Sequence, residues 1–143
     1  MQLDKFTDYG LRLLIHLATF APDRVSSRAV AERFALSEHH LSKVATALVR
    51  EGFVTSERGR AGGLQLARPA DQISIGAVVR ALTRDTAVAE CFGAGHCDCA
   101  ILPLCVLRAP LQAAQEAFYR TLDPHTLAAV AQNRTGLRTL LSA

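Results

Sequence analysis

The fold is decided by residues 26–66, which read SSRAVAERFALSEHHLSKVATALVREGFVTSERGRAGGLQL. Within this stretch RAVAERFA predicts a short helix, and Ser37 caps a second helix whose apolar stripe is Leu41, Val44 and Leu48. Roughly three or four residues separate the two helices, as in a helix-turn-helix. Because many helical proteins contain two short helices close together, the residues that follow must decide the class.

A basic hairpin follows directly. Residues 53–56 (FVTS) and 64–67 (LQLA) are short strand-like runs, and apolar and polar side chains alternate over 64–66, which predicts two strands. Between them lies ERGRAGG at 57–63, whose glycines permit a tight turn. A helix-turn-helix followed by a hairpin of this kind predicts a winged helix. The expected fold class is therefore mainly α, with a two-stranded wing.

Helices are also predicted on both sides of this region. One helix covers 3–20 and ends before Pro22, and a fourth helix begins after Ser74. A long helix then runs from Leu107 to Leu122, followed by a short helix over 125–131 and a tail.

The long helix is predicted to join two copies of the chain. Beside its apolar stripe, Ala109, Ala113 and Ala117 form a second stripe of small residues on an adjacent face. Since a helix that is apolar on two faces usually has two partners, we expect it to pack on its own domain and on a second copy. Pro110 requires that the helix begin there, or that it begin earlier with a kink.

The composition fits a globular protein without a membrane span. The chain has 143 residues, of which half are apolar and a fifth charged, with a formal net charge of +3. No apolar run approaches the roughly 18 residues that span a bilayer, and the first ten residues lack the features of a secretory signal. The sequence therefore predicts a cytoplasmic protein, and its small positive charge is compatible with nucleic-acid binding.

Side chains that contact DNA are expected on the outer side of the second helix of the helix-turn-helix and at the hairpin tip. The helix would enter a major groove, and the hairpin arginines would enter a narrow minor groove. Glu38 is an objection, because it would repel phosphate unless it reads a cytosine amine. The candidates are Ser37, His39, His40, Ser42, Lys43 and Thr46 on the helix, and Arg58, Arg60, Gly62 and Gly63 on the hairpin.

The four cysteines all lie between residues 91 and 105. A cytoplasmic chain rarely uses structural disulfides, so clustered thiols indicate metal binding or redox chemistry. The sequence contains no Ser/His/Asp or paired-carboxylate constellation and no phosphate-binding loop followed by a helix, so it does not predict an enzyme.

The runs FTDYGLRLLIHLA (6–18) and RGRAGGLQLARP (58–69), together with the late cysteines, resemble one family. It is the family of cluster-binding, winged-helix transcriptional regulators that includes NsrR and IscR, and the resemblance covers roughly residues 3–127. The run FTDYGLR (6–12) resembles its nitric-oxide-sensing repressors in particular. The resemblance implies a homodimer, a partly palindromic double-stranded DNA operator, nitric oxide as the signal and an iron–sulfur cluster held by three cysteines per subunit. A 4Fe-4S cluster is favoured, and a 2Fe-2S cluster is possible.

The resemblance also implies a ligand set. Family members commonly have five residues between the second and third ligands, and Cys99 and Cys105 have this spacing. The implied ligands are therefore Cys91, Cys99 and Cys105, with Cys97 as the alternative to Cys99. The expected segments are a winged helix-turn-helix DNA-binding domain (1–84), a cysteine-rich cluster-binding loop (85–106), and a dimerisation helix with a C-terminal tail (107–143).

A fourth ligand is implied from the first helix. Asp8 matches the acidic position of the family's N-terminal motif, so Asp8 of the partner subunit is the candidate, with Arg12 to orient it. Because the two residues are four apart, a simple helix ion pair is the compatible alternative. His96 is a further candidate.

The expected function is that of a repressor whose operator affinity depends on a cluster that senses nitric oxide. One alternative is an IscR-like regulator that senses redox state or cluster supply. Another is a cluster-free regulator, with either a thiol–disulfide switch through Cys97 and Cys99 or a structural zinc site.

Overall fold

The computed structural model describes residues 3–59, 62–83, 87–93 and 95–142. The helices and strands are α1 (Lys5–Phe20), α2 (Ser27–Arg33), α3 (Glu38–Arg50), β1 (Val54–Glu57), β2 (Gly63–Leu66), α4 (Ile75–Leu82), α5 (Arg108–Leu122), α6 (Leu127–Val130) and α7 (Arg134–Ser142). Short 3₁₀ turns lie at Ala70–Gln72, Glu90–Phe92 and Leu102–Leu104. The mainly α fold class with a two-stranded wing is confirmed.

Side-chain caps set the starts of the helices around the helix-turn-helix. Ser37 caps α3 and Ser74 caps α4, each by accepting a backbone N–H, as the sequence predicts. Ser26, rather than Ser27, caps α2. Each such cap satisfies one of the backbone donors that a helix start leaves unpaired and contributes about 1 kcal/mol.

The core lies where α1, α3 and α4 meet. The predicted stripe of Leu41, Val44 and Leu48 is completely buried. Removing one such side chain from water stabilises the fold by about 1.5–3 kcal/mol. The neighbouring helices add fully buried residues to the same cluster, namely Leu13 and Leu14 of α1 and Val78 and Val79 of α4.

The wing is an antiparallel pair in which Val54 faces Leu66 and Glu57 faces Gly63. Each strand is displaced by one residue from the predicted run. The first strand begins later because the Phe53 N–H donates to the Leu48 carbonyl and closes the end of α3. An unpredicted third segment joins the sheet, since Val25 exchanges backbone hydrogen bonds of 3.0 and 2.8 Å with Leu64.

The long helix α5 begins at Arg108, so Pro110 is its third residue. A helix beginning at Pro110 is therefore not what is found. In the first turn a backbone N–H has no partner inside the helix, and a proline there costs no hydrogen bond. The alanine stripe of Ala109, Ala113 and Ala117 is exposed in the single chain.

The end of the chain returns to the core. The helix α6 is shorter than the predicted 125–131, because the His125 carbonyl instead accepts a hydrogen bond from the Ile75 N–H. Leu127 of α6 is completely buried, and α7 packs on α1 in what the sequence leaves as a tail. The division at 84 and 106 stays a prediction. None of the described helices is long and apolar enough to cross a membrane.

Candidate DNA interface and cysteine segment

The outer face of α3 carries the predicted DNA-contacting side chains together. His39, His40, Ser42 and Lys43 are all exposed, as is Thr46 one turn further along. These residues lie opposite the buried stripe because α3 is amphipathic with the period of a helix. The side chain of the remaining candidate, Ser37, accepts the His40 N–H at the helix start, so its first role is to cap α3.

The wing presents Arg58 to solvent at the end of β1. Arg60, the second predicted arginine, lies outside the described residues. The turn itself requires a glycine at position 62, whether or not this residue approaches DNA, because a Cβ built there would lie 2.3 Å from the Glu57 carbonyl oxygen. A side chain at Gly62 would therefore push the turn apart. Gly63 follows as the first residue of β2.

A groove of about 280 Å³ lies between α3 and the wing. Its walls carry four hydroxyl groups, on Ser27, Ser42, Thr46 and Ser56. Sequence reasoning names Ser42 and Thr46 and misses the other two. Ser27 and Ser56 are on elements that only the folded chain brings beside α3, so the sequence pattern holds no signal that would have found them.

Charge is distributed unevenly among the described basic side chains. Arg24, Arg28 and Arg50 pair with the carboxylates of Glu57, Glu32 and Glu51. In the described part of the chain, Lys43 and Arg58 have no such partner. Lys43 and Arg58 therefore keep their positive charge on the face formed by α3 and the wing, where Glu38 is also exposed. Positive charge of this kind attracts a phosphate backbone.

The cysteine segment between α4 and α5 is held mainly by its own turns. Its thiols are all unpaired; Cys99 is exposed, and Cys91, Cys97 and Cys105 are half-buried. The Cys99 carbonyl accepts a hydrogen bond from the Leu102 N–H at 3.0 Å. The Arg108 guanidinium lies over the Phe92 ring, 5.5 Å from the ring centre.

The same segment exposes apolar side chains. Leu104 is 90% exposed and Val106 is 88% exposed, and Ile101 and Leu107 are also exposed. Soluble monomers rarely show contiguous apolar surface of this kind without a use for it. These residues and the exposed alanine stripe of α5 all lie between positions 101 and 117.

The other two candidate ligands are engaged with neighbours. Arg12 donates to both carboxylate oxygens of Asp8, from Nε to Oδ1 at 3.0 Å and from Nη2 to Oδ2 at 2.7 Å. The Asp8 side chain is 39% exposed, so it remains accessible. His96 contacts Asp98 at 2.9 Å, with both side chains over four-fifths exposed.

The donor chemistry of these residues fits an iron–sulfur cluster, because such clusters bind thiolate sulfur. The arrangement in one chain does not yet form a site: among the described residues no group of three or more His, Cys, Asp or Glu side chains could hold a metal ion. A cluster site would need the segment to converge further, or a donor from a second chain.

A polar network that the sequence did not indicate joins α4 to α5. Arg80 donates to Glu116 through both terminal nitrogens, at 2.9 and 3.2 Å, and to Asp123 at 2.9 Å. Its guanidinium also lies 4.5 Å from the ring centre of Tyr119, whose hydroxyl is 2.9 Å from that of Thr83. The hydrogen bonds from Arg80 lower the pKa of the Glu116 carboxyl.

One histidine is inside the core rather than at the surface. His16 of α1 is 5% exposed, and its Nδ1 has no hydrogen-bond partner among the residues that the structure describes. Its ring contacts Phe20 and Phe34, with ring centres 4.7 and 6.1 Å away. Burial, and secondarily the charge of Arg33, lower the pKa of His16.

Comparison with known proteins places this arrangement in a family. The profile of the Rrf2 family, described as an iron-dependent transcriptional regulator, matches residues 3–133. A curated relative is the HTH-type transcriptional regulator NsrR of Geobacillus kaustophilus (strain HTA426). It is 42% identical over 142 residues, which cover 99% of this chain and 97% of that protein.

Two solved structures share the fold. Staphylococcus aureus CymR in its oxidized form has a TM-score of 0.70 and 28% identity, covering 92% of this chain and 96% of that chain. T. potens IscR has a TM-score of 0.70 and 28% identity, covering 93% of this chain and 88% of that chain. Because the profile and the relative span nearly its whole length, this chain belongs to the Rrf2 family and is a winged-helix transcriptional regulator, not an enzyme.

Proposed function

We propose that this regulator is a homodimeric repressor that binds a partly palindromic DNA operator and is controlled by an iron–sulfur cluster that senses nitric oxide. The observation that carries the proposal is the set of four unpaired thiols in one segment between α4 and α5, in a chain of a family described as iron-dependent. The 42% identity to a relative named NsrR supports the choice of signal.

The outer face of α3 would read a major groove. Its exposed candidates include two histidines and Lys43, which can donate hydrogen bonds to base edges or phosphates. Arg58 in the wing, together with Arg60, would reach the minor groove. Glu38 at the start of α3 would have to face a base rather than a phosphate. In a dimer, two such faces would occupy successive major grooves about 34–36 Å apart.

Cys91, Cys99 and Cys105 would hold the cluster, with Cys97 as the alternative to Cys99 and Asp8 of the partner subunit as the fourth ligand. When bound, a 4Fe-4S cluster, or a 2Fe-2S cluster in its place, would supply iron that nitric oxide can attack. Asp8 suits that role because an oxygen ligand is weaker than a thiolate at such a site. Arg12, which already holds the Asp8 carboxylate, would orient it.

The residues of the chain would transmit the change to DNA. Thiolates bound to a cluster at Cys91, Cys99 and Cys105 would fix the segment before α5, whereas free thiolates would leave it held by its short turns and the contact of Phe92 with Arg108. Arg80 joins α4 to α5, and α4 packs on α1. A fixed segment between α4 and α5 would add to these contacts and hold α5, the proposed dimerisation helix, in one position relative to α1 and α3. Release would loosen the spacing of the two α3 helices and lower operator affinity.

The proposal is tested with the anaerobically purified chain. Its absorption spectrum and its iron and sulfide contents are measured first. Its affinity for a duplex that it selects from a random-sequence library is then measured intact, after stoichiometric nitric oxide, and after removal of iron. We expect a coloured protein whose affinity falls in the second and third forms. Equal affinity in all three forms would rule out control by a cluster.

Single substitutions assign the ligands. We expect Cys91→Ser, Cys99→Ser and Cys105→Ser to lose bound iron, whereas the matched variant Cys97→Ser keeps it. Asp8→Asn should keep the iron but change the spectrum. If Cys97→Ser loses iron while Cys99→Ser keeps it, then Cys97 is the middle ligand.

A second candidate function is a thiol–disulfide switch. It is favoured by the lack of a three-donor group in the described residues, and by the likeness to a CymR structure in an oxidized form. Cys97 and Cys99 would form the disulfide when a peroxide takes up two electrons and two protons and is reduced to water. This protein would be colourless, and alkylation with mass spectrometry would find two thiols blocked after oxidation. An IscR-like regulator would instead be a coloured protein whose affinity for the duplex follows redox state or cluster supply.

A further inference from the structure

We propose that the first turn of α1 forms, with α3, a clamp for a DNA phosphate, with Lys5 as a backbone-contacting residue beside the recognition face. The clamp would lie at the rim of a mainly apolar concavity of about 210 Å³, which the stems of the two lysines help to form. Its lining residues are Lys5, Phe6, Tyr9, His40, Lys43 and Val44. This inference rests on the proposed use of α3 in DNA binding, and it adds an element that lies outside the helix-turn-helix and the wing.

The geometry brings two helix faces together. Lys5 and Tyr9 are four residues apart on α1, so they lie on one face of that helix. His40 and Lys43 are three apart on α3 and share a face in the same way. The two lysines, 38 positions apart in sequence, therefore line one concavity only because α1 packs against α3.

The charge of this concavity is not neutralised by the chain. In the described part of the protein, neither Lys5 nor Lys43 has a carboxylate partner. The nearby acidic side chains on α1 have other contacts. Asp4 accepts the Thr7 N–H at 2.7 Å, and Asp8 is held by Arg12. Two ammonium groups are thus left to attract an anion at the surface.

The walls of the concavity strengthen that attraction. Phe6 and Tyr9 are half-buried, and Val44 is completely buried, so the lysines project past apolar surface. Apolar walls of low dielectric constant focus the field of like charges on a cleft. Lysine binds phosphate as a point charge and does not need the paired geometry of arginine.

The occupant is double-stranded DNA rather than a free anion because of what adjoins the site. Lys43 and His40 belong to the outer face of α3, which would lie in the major groove. The sugar–phosphate backbone borders that groove. Contacts to the backbone fix the register of a protein on the duplex but do not read the sequence. Lys5 would therefore anchor the strand while α3 reads the bases.

The salt dependence of binding tests this contact. Each phosphate contact contributes about 0.9 to the slope of log K against log salt concentration. The full chain, purified anaerobically, is titrated with the duplex that it selects from a random-sequence library, between 50 and 200 mM KCl. For Lys5→Gln we expect the magnitude of the slope to fall by about 0.9 for each bound copy of the chain. Between 50 and 200 mM KCl the affinity of the variant should then drop by a factor about 3.5 smaller, for each copy, than the affinity of the parent chain. Lys5→Arg should keep the parent slope, and the matched control Arg120→Gln, which removes a charge from α5, should also keep it.

The outcomes separate this inference from the proposed function. If Lys43→Gln and Arg58→Gln lower the slope but Lys5→Gln keeps the parent slope, the clamp is wrong and the α3 and wing interface stands. If none of the three lowers it, the proposed interface is wrong as well. Because Lys5 is exposed, its variants should unfold at the parent temperature, and a lower unfolding temperature for Lys5→Gln together with an unchanged slope would assign it a structural role only.

Discussion

Replacing Gly76 with alanine should destabilise this protein, although alanine is the better helix former. Gly76 is the second residue of α4, which passes directly over the end of α5. A Cβ built at Gly76 would lie 2.7 Å from the Asp123 backbone nitrogen and 2.8 Å from its Cα. Non-bonded heavy atoms prefer about 3.5–4.0 Å, so the Asp123 backbone would have to move by about 0.8 Å or more.

That movement is opposed by several contacts. The Ser74 hydroxyl donates to the Asp123 carbonyl at 2.9 Å, and the Asp123 N–H closes the last turn of α5 at Tyr119. Overpacking of this kind costs about 1–3 kcal/mol, whereas alanine gains up to about 1 kcal/mol of helix propensity. We therefore expect Gly76→Ala to lose about 1–2 kcal/mol, which lowers Tm by about 3–8 °C for a chain of this size.

Calorimetry and urea unfolding monitored by circular dichroism measure this loss. The matched control is Gly95→Ala, because a Cβ at Gly95 would have no described atom beyond its chain neighbours within 4 Å. We expect the control to be neutral or slightly stabilised, by up to about 1 kcal/mol. If Gly76→Ala is as stable as the parent chain, the close approach of α4 to Asp123 is not a constraint, and the reasoning fails.

Three further predictions follow from buried groups and the wing. The free energy of unfolding, measured with urea at several pH values, should be highest above pH 6.5 and fall as the pH drops below it, because the unfolded chain binds the His16 proton at a higher pH than the folded chain does. His16→Phe should remove most of this pH dependence, and a variant with the parent pH profile would contradict the role of His16. Leu127→Ala should cost about 2–5 kcal/mol in calorimetry, whereas the same change at the 73% exposed Leu140 should cost little; equal losses would mean that α6 is not part of the core. Gly62→Ala should distort the turn at Glu57, cost about 1–3 kcal/mol of folding stability and weaken binding to the selected duplex. Unchanged affinity would show that the shape of the turn does not matter for DNA binding.

Local chemistry made much of the fold predictable. Ser37 and Ser74 cap the helices that the sequence assigns to them, and Leu41, Val44 and Leu48 are buried as their spacing predicts. Caps and stripes depend on residues within a few positions of each other, so a sequence pattern contains the information. The same holds for the exposure of the α3 candidates, which follows from the buried stripe on the opposite face.

Element boundaries depended on contacts that are distant in sequence. The strand start moved by one residue because Phe53 closes α3, and the last short helix shrank because the His125 carbonyl bonds to Ile75. The α7 helix is amphipathic, but its docking uses Arg134, which donates to the carbonyls of Thr19 and Ala21 at the end of α1. No local pattern specifies such a partner more than a hundred positions away.

Two parts of the candidate site could be predicted from the sequence alone. They are the cysteine cluster between residues 91 and 105 and the basic wing, because each is contiguous in the chain.

By itself, then, the sequence determined a winged helix with clustered thiols, since periodicity, caps and composition are local properties. The tertiary structure alone decided which distant groups meet: Lys5 beside Lys43, Ser56 beside Thr46, and Arg80 between Glu116 and Asp123. The physical reason is that packing of the buried apolar faces sets the helix arrangement, and the polar surface groups take the neighbours that this arrangement leaves them.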